Sequence, residues 1–251
     1  MARTLVQQQF GATAQHYLTS KPHAQGRSLE RLVKLAAPQP QWQALDVATG
    51  AGHVAYAFAT EVAQVIATDI TAEMLAVVRA ERERRALANL HLAFAKAEAL
   101  PFVSGTFDLV TCRIAPHHFD SIPAFLAEVA RVLRPGGTFA LVDNVVPEGR
   151  VGDYINALDR LRDPSHLRAW TMPEWRAALA DHGFALAHEE EIVKHMEFAP
   201  WVSRHDATTQ RLLRALITEV TPAVAAVLSP EGGDEDLRFD LREGVFIAKR
   251  G

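Results

Sequence analysis

A single cysteine, Cys112, stands among the 251 residues. That scarcity excludes a disulfide framework and any cysteine-rich zinc or iron–sulfur site. An excess of either charge is also missing: 26 Lys and Arg face 30 Asp and Glu, a net −4. The balance gives no electrostatic reason to expect a nucleic-acid backbone as partner. No apolar run approaches the roughly 18 residues of a membrane span. The opening stretch, MARTLVQQQFGATAQHY, lacks the charged start, apolar run and small-residue cleavage site of a signal peptide. A cytoplasmic location with no membrane partner is therefore expected. What the chain does have is apolar substance, 49% of its residues. That suffices for one large core, since chains of this length bury about 70–75% of their unfolded surface.

Two kinds of text alternate through the first 145 residues. Short apolar runs (Ala44–Ala48, Val65–Asp69, His91–Ala95, Phe107–Cys112, Thr138–Val142) are bounded by Gly, Pro or polar residues, as buried parallel strands are. Between them, Ile122, Phe125, Leu126, Val129, Val132 and Leu133 recur at helical steps, with Pro135-Gly136-Gly137 as the stop. Thr71 stands where a helix N-cap would, ahead of Met74, Leu75 and Val78. Strand–helix alternation argues a Rossmann-like, doubly wound α/β sheet. From Pro147 to Pro173 the text turns polar and irregular. A helix over 173–182, a strand over 184–198, a helix over 208–228 bent at Pro222 and a last strand over 239–249 follow.

The most informative stretch is Asp46-Val47-Ala48-Thr49-Gly50-Ala51-Gly52, directly after the first strand. Glycines there let a ligand approach the backbone closely. Asp69 ends the next strand, 19 residues after Gly50, where a carboxylate can accept from both hydroxyls of a ribose. Gly50-x-Gly52-x-x-Ala55 also satisfies a dinucleotide fingerprint, so the loop alone leaves the ligand open. Asp46 is unusual for a dinucleotide site; a carboxylate there suits a ligand with an amino group and positive charge.

Further blocks follow: Ala97-Glu98-Ala99-Leu100-Pro101-Phe102, Phe107-Asp108-Leu109-Val110, and Arg131-Val132-Leu133-Arg134-Pro135-Gly136-Gly137. In this order the run resembles class I S-adenosylmethionine-dependent methyltransferases, the branch that includes the ubiquinone/menaquinone C-methyltransferases and many small-molecule enzymes. The likeness covers residues 40–145 well and the rest loosely. It implies a seven-stranded, mostly parallel sheet with an antiparallel last strand. It also implies one domain over 1–251: a helical lid (1–40), a cofactor-binding core (41–146) and substrate-side segments with a helical insert (147–251). The implied cofactor is S-adenosyl-L-methionine, leaving as S-adenosylhomocysteine, and the implied partner is a small-molecule methyl acceptor. Its site residues would be Asp46, Ala48, Gly50 and Gly52 around the methionine part and Asp69 on the ribose. Ile70 and Met74 would border the adenine, Ala97 and Glu98 would lie at its edge, and Arg113 would stand beside the cofactor. Two positions depart from the family pattern. Ala48 replaces the loop's first glycine, and Ala95-Lys96 replaces the usual Gly-Asp pair, removing an acceptor for the adenine amine.

A methyltransferase must align a nucleophile with the methyl group and sometimes remove its proton. His117 and His118, just past the fourth strand, occupy the rim where a base belongs, although either could simply cap a helix. His166 is a second candidate, with a solvated loop histidine as the plainer reading. No H-E-x-x-H motif is present, and no metal is expected. The resemblance places Tyr17, in Phe10-x-x-x-Ala14-x-x-Tyr17-x-x-Ser20-x-x-His23, over the cofactor's carboxylate end. The apolar stripe of 208–228 would form a substrate-side wall or a homodimer surface. Two rival readings stand beside the transferase: an NAD(P)-dependent oxidoreductase using the same glycine loop, and a non-catalytic cofactor-binding protein. Against the first, neither Tyr56 nor Tyr154 is followed by lysine four residues later; Tyr17 is, but it stands ahead of the first strand. For the second, the main hint is Lys96.

Overall fold

The apolar runs condense into one seven-stranded sheet. Its strands are β1 (Gln43–Val47), β2 (Gln64–Asp69), β3 (Leu90–Phe94), β4 (Phe107–Arg113), β5 (Leu133–Asn144), β6 (Phe184–Glu197) and β7 (Arg238–Arg250), in the order β3-β2-β1-β4-β5-β7-β6. Six strands are parallel, and β7 runs antiparallel to both β5 and β6. The computed structural model describes residues 4–11, 26–233 and 236–251. Alternate residues of the central strands feed opposite faces. Leu45, Val47, Val110 and Cys112 pack with Phe125 and Val129 of α5 (Ile122–Val132) and with Trp175 of α7 (Met172–Asp181). Ala44, Leu109, Ala140 and Val142 pack with Leu32 of α2 (Arg27–Ala36) and Val54 and Phe58 of α3 (His53–Ala59). The strand order reverses between β1 and β4, and open α/β sheets bind ligands at the carboxyl ends of the strands flanking such a reversal.

Beyond residue 145 the structure corrects two expectations, and before it one. The stretch read as irregular contains α6 (Arg150–Arg162), whose Ile155 and Leu158 are buried. Val151, Tyr154, Ile155 and Leu158 give this helix an apolar face at helical spacing, set among polar residues, and its partners come from far along the chain. They lie in α8 (Phe198–Val202), α9 (Ala207–Thr218) and α10 (Pro222–Leu228), which contribute Trp201, Leu213 and Leu228 to a third cluster with Phe239 of β7. Short helices draw most of their stability from such packing. Pro222 does not bend one helix but opens a second, at a first-turn position that needs no backbone N–H. Thr71 has the N-cap place before α4 (Ala72–Arg84), yet its side chain makes no capping bond and turns to Asp69.

The segment expected as a lid divides. In α1 (Leu5–Gly11), Gln7 Nε2 donates to the Ile70 carbonyl at 2.8 Å. Helix α2 belongs to the body, with Leu32 and Ala36 buried and Arg31 paired to Glu190 at 2.6 Å. Tyr17 lies outside the described residues.

Candidate active site

At the carboxyl ends of β1, β2, β4 and β5 the molecule opens into a cavity of about 1100 Å³. Its floor is the loop after β1. Ala48, Gly50 and Gly52 all take positive φ (53°, 55° and 87°), which turns the chain from strand to helix within a few residues. Ala48 holds a left-handed conformation that costs an L-residue roughly 1–2 kcal/mol, the physical meaning of its departure from glycine. A Cβ on Gly50 would meet nothing within 4 Å, so the backbone faces open space on the cavity wall. Gly52 differs: a Cβ there would lie 2.5 Å from Cζ of the buried Tyr56. Gly52→Ala is therefore expected to destabilise the protein by about 1–2 kcal/mol from φ alone, plus the clash, measured by denaturant unfolding.

Asp69 stands on the wall beside this loop. Its Oδ2 accepts from Gly50 N at 2.9 Å and its Oδ1 from Thr71 N at 2.8 Å, so two backbone amides aim the carboxylate. Burial pushes its pKa up, and those amides oppose the rise. Asp46 does not reach the cavity wall. Its Oδ2 accepts from the Thr49 hydroxyl (2.6 Å) and its Oδ1 from the Thr111 hydroxyl (2.7 Å), tying the loop to β4 from behind. Burial lifts this carboxyl from 3.8 to about 6, against the two threonine hydroxyls. Between those values the folded chain holds the proton more firmly than the unfolded chain, so stability falls as pH rises through that window. Asp46→Asn removes the effect. Its stability relative to the parent should grow by up to about 3 kcal/mol from pH 4 to pH 7, read from unfolding curves across that range.

Ile70, Met74, Ala97, Glu98 and Arg113 line the same cavity. Glu98 is already engaged: its Oε1 accepts from the backbone amides of Asp120 (2.9 Å) and Ser121 (3.4 Å), ahead of α5. Lys96 turns to Asp120 at 2.7 Å. Arg113 Nε donates to Ser28 Oγ on α2 at 3.2 Å.

The histidines converge from two segments. The His117 ring centroid lies 4.1 Å from that of His118 and 5.2 Å from that of His166. Their fates differ. His117 Nδ1 bonds Asp143 Oδ1 at 2.6 Å, its ring lines the cavity, and its Nε2 has no hydrogen bond to a described residue. His118 also lines the cavity and sets Nδ1 2.9 Å from the Ser165 carbonyl. His166 is buried behind them, with Nε2 2.9 Å from Asn156 Oδ1, and does not reach the cavity wall. Burial lowers the pKa of His117 and His118 to about 4 and of His166 to about 3, so all three are neutral at pH 7. Among the described residues, no three His, Cys, Asp or Glu side chains are placed to hold a metal ion. Cys112 is fully buried and its thiol is pushed up by burial.

Comparison with known proteins agrees with this geometry. Residues 45–141, from β1 to β5, match a methyltransferase domain. YcgJ of Bacillus subtilis, described as an uncharacterized methyltransferase, is 36% identical over 203 residues, 80% of each chain. Its crystal structure superposes with a TM-score of 0.85 over 89% of this chain and 97% of that one, at 30% identity. The chain belongs to the class I S-adenosylmethionine-dependent methyltransferases. The ubiquinone/menaquinone C-methyltransferase UbiE of Dinoroseobacter shibae is 37% identical over 110 residues, 43% of this chain and 44% of its own. YafE of Escherichia coli is 34% identical over 154 residues, 61% and 74% of the two chains.

The methyltransferase's own residues fit the cofactor of that family. An aimed, buried carboxylate stands beside a backbone cradle that no side chain fills. What sequence reading missed lies on the opposite wall. Asp143, near the end of β5, is wholly buried and bonds His117 from behind the wall. Asp159, Arg162 and Lys194 line the cavity from α6 and β6. No motif marks them; only the helical spacing of Ile155, Leu158 and Asp159 hinted that an acid sits beside a buried stripe.

Proposed function

We propose that the enzyme moves a methyl group from S-adenosylmethionine to an oxygen, nitrogen or carbon nucleophile of a small organic acceptor, with His117 taking the acceptor's proton. The observation that carries this reading is the His117–Asp143 pair at 2.6 Å on the wall of the cavity that also holds Asp69. Asp69 and the Gly50 backbone would hold the ribose and the methionine part, Ile70 and Met74 would border the adenine, and Ala97 would bound its edge. When bound, S-adenosylmethionine supplies an electrophilic methyl group on a cationic sulfur, a charge that also favours the ionised form of Asp143. Burial pushes the Asp143 carboxyl up; in its ionised form Asp143 accepts from Nδ1–H and leaves Nε2 as the unprotonated nitrogen of a ring that burial keeps neutral at neutral pH. His118 would shape the rim beside it. Burial of His117 and His166 among α6, β5 and the turn after β4 would keep water from the proton's path.

Calorimetric titration with S-adenosylhomocysteine, run beside NAD and NADP, tests the reading. Micromolar binding of S-adenosylhomocysteine alone supports it. Binding of a nicotinamide cofactor in its place would transfer the glycine loop to an oxidoreductase. Cofactor binding with no turnover across oxygen, nitrogen and carbon acceptors would favour a non-catalytic protein.

A further inference from the structure

Four carboxylates gather at and behind the cavity wall that α6 and β6 share, and three of them have hydrogen-bond or ion-pair partners among the described residues. Asp143 bonds His117 at 2.6 Å. Asp163 accepts from Ser165 N (3.0 Å) and Oγ (2.6 Å) and lies 3.3 Å from Arg204. Glu243 pairs with Lys194 at 2.8 Å. Asp159, near the end of α6, is the fourth. It is 8% exposed, lines the cavity, and forms no hydrogen bond or ion pair with a described residue. Arg162 and Lys194 act on it through their field alone, and burial pushes its pKa up to about 6. A carboxylate withdrawn from water without donors is costly, and a ligand that brings a donor recovers that cost.

The surrounding charges decide which donor fits. A permanently cationic group brought to Asp159 would face Arg162 and Lys194 on the same wall. An anionic group would face Asp159 itself, with Asp163 and Glu243 behind it. An uncharged hydroxyl avoids both, since its hydrogen reaches Asp159 while its oxygen can accept from a neighbouring cation. Met196, Pro200, Trp201 and Leu241 supply an apolar wall for the body of such a molecule. We infer that Asp159 anchors the methyl acceptor through an uncharged hydroxyl group and selects hydroxylated, apolar-bodied molecules over permanently charged ones. The inference rests on the methyltransferase reading above.

The test uses three probes built on one ring: 4-methylcatechol, phenyltrimethylammonium and phenyl phosphate. Each is titrated by ligand-observed NMR into the full chain saturated with S-adenosylhomocysteine, for the parent and for Asp159→Leu. The parent is expected to bind 4-methylcatechol most tightly, and Asp159→Leu to lose about tenfold of that affinity, the usual consequence of deleting a hydrogen bond to a charged group. Its affinity for S-adenosylhomocysteine, the check on folding, should be unchanged. Should Asp159→Leu fail that check, Asp159→Asn carries the comparison, with a smaller loss expected. The inference is overturned if 4-methylcatechol fails to bind, if either charged probe binds the parent more tightly, or if the folded variant keeps the parent's affinity. Failure of the parent to bind S-adenosylhomocysteine would instead defeat the methyltransferase reading, before any acceptor probe is added.

Discussion

Replacement of His117 by alanine is expected to slow methyl transfer by about 10²–10⁴-fold, the range over which a positioned base contributes. Affinity for S-adenosylhomocysteine should hold, because in the proposed reading the ring serves the acceptor while Asp69 and the loop after β1 hold the cofactor. Added imidazole should restore part of the rate to His117→Ala, a rescue that a purely structural histidine would not show. The pH profile is the second readout. Burial lowers the His117 pKa from 6.5 to about 4, so turnover should persist through pH 6 and fall as the pH drops through about 4. Asp143→Asn tests the positioning role. An amide can present its N–H to Nδ1, which favours the tautomer with Nε2 protonated and removes the base. The rate should fall with little change in acceptor KM. If His117→Ala instead weakens S-adenosylhomocysteine and turnover equally, the histidine is structural and the proton leaves by another route.

Asp69→Ala has the second largest expected effect, a loss of about 100-fold in affinity for S-adenosylhomocysteine, or roughly 3 kcal/mol from hydrogen bonds to a charged group. Part of the loss is direct, through the ribose hydroxyls. The rest is indirect, because the carboxylate also holds the amides of Gly50 and Thr71, and without it the loop's left-handed turn loses its tether. Asp69→Asn separates the two: it can accept from one amide but carries no charge, and it should retain an intermediate affinity. Calorimetry on both variants decides the matter, and unchanged affinity in Asp69→Ala would remove the ribose from this position.

The strands, the glycine loop and Asp69 were legible in the sequence because each depends on neighbours close along the chain. A buried strand reveals itself by its apolar run, and a left-handed turn by its glycines. Even so, Asp46 and Glu98 could be read only as acids near the cofactor. In the fold Asp46 faces Thr111, 65 residues away, and Glu98 the amides of Asp120 and Ser121. A carboxylate's role depends on which donors surround it, and those donors arrive from other strands and helices. His166 is the same lesson in reverse: it clusters with His117, yet Asn156 holds it behind the wall.

Helix α6 shows the limit most clearly. Its apolar face is interrupted by Gly152, Asp153, Asn156, Asp159 and Arg160, and the surface it packs against comes from α8, α9 and α10. That packing carries Asp159 and Arg162 to the cavity, facing Lys194 of β6. The sequence by itself determined a doubly wound sheet and its glycine loop, since those rest on local periodicity and a short loop of fixed geometry, while the methyltransferase family came from the resemblance of its motifs. Only the tertiary structure decided which histidines line the cavity and which carboxylate there lacks a partner among the described residues, because burial and hydrogen bonding are set between segments that meet only when the chain has folded.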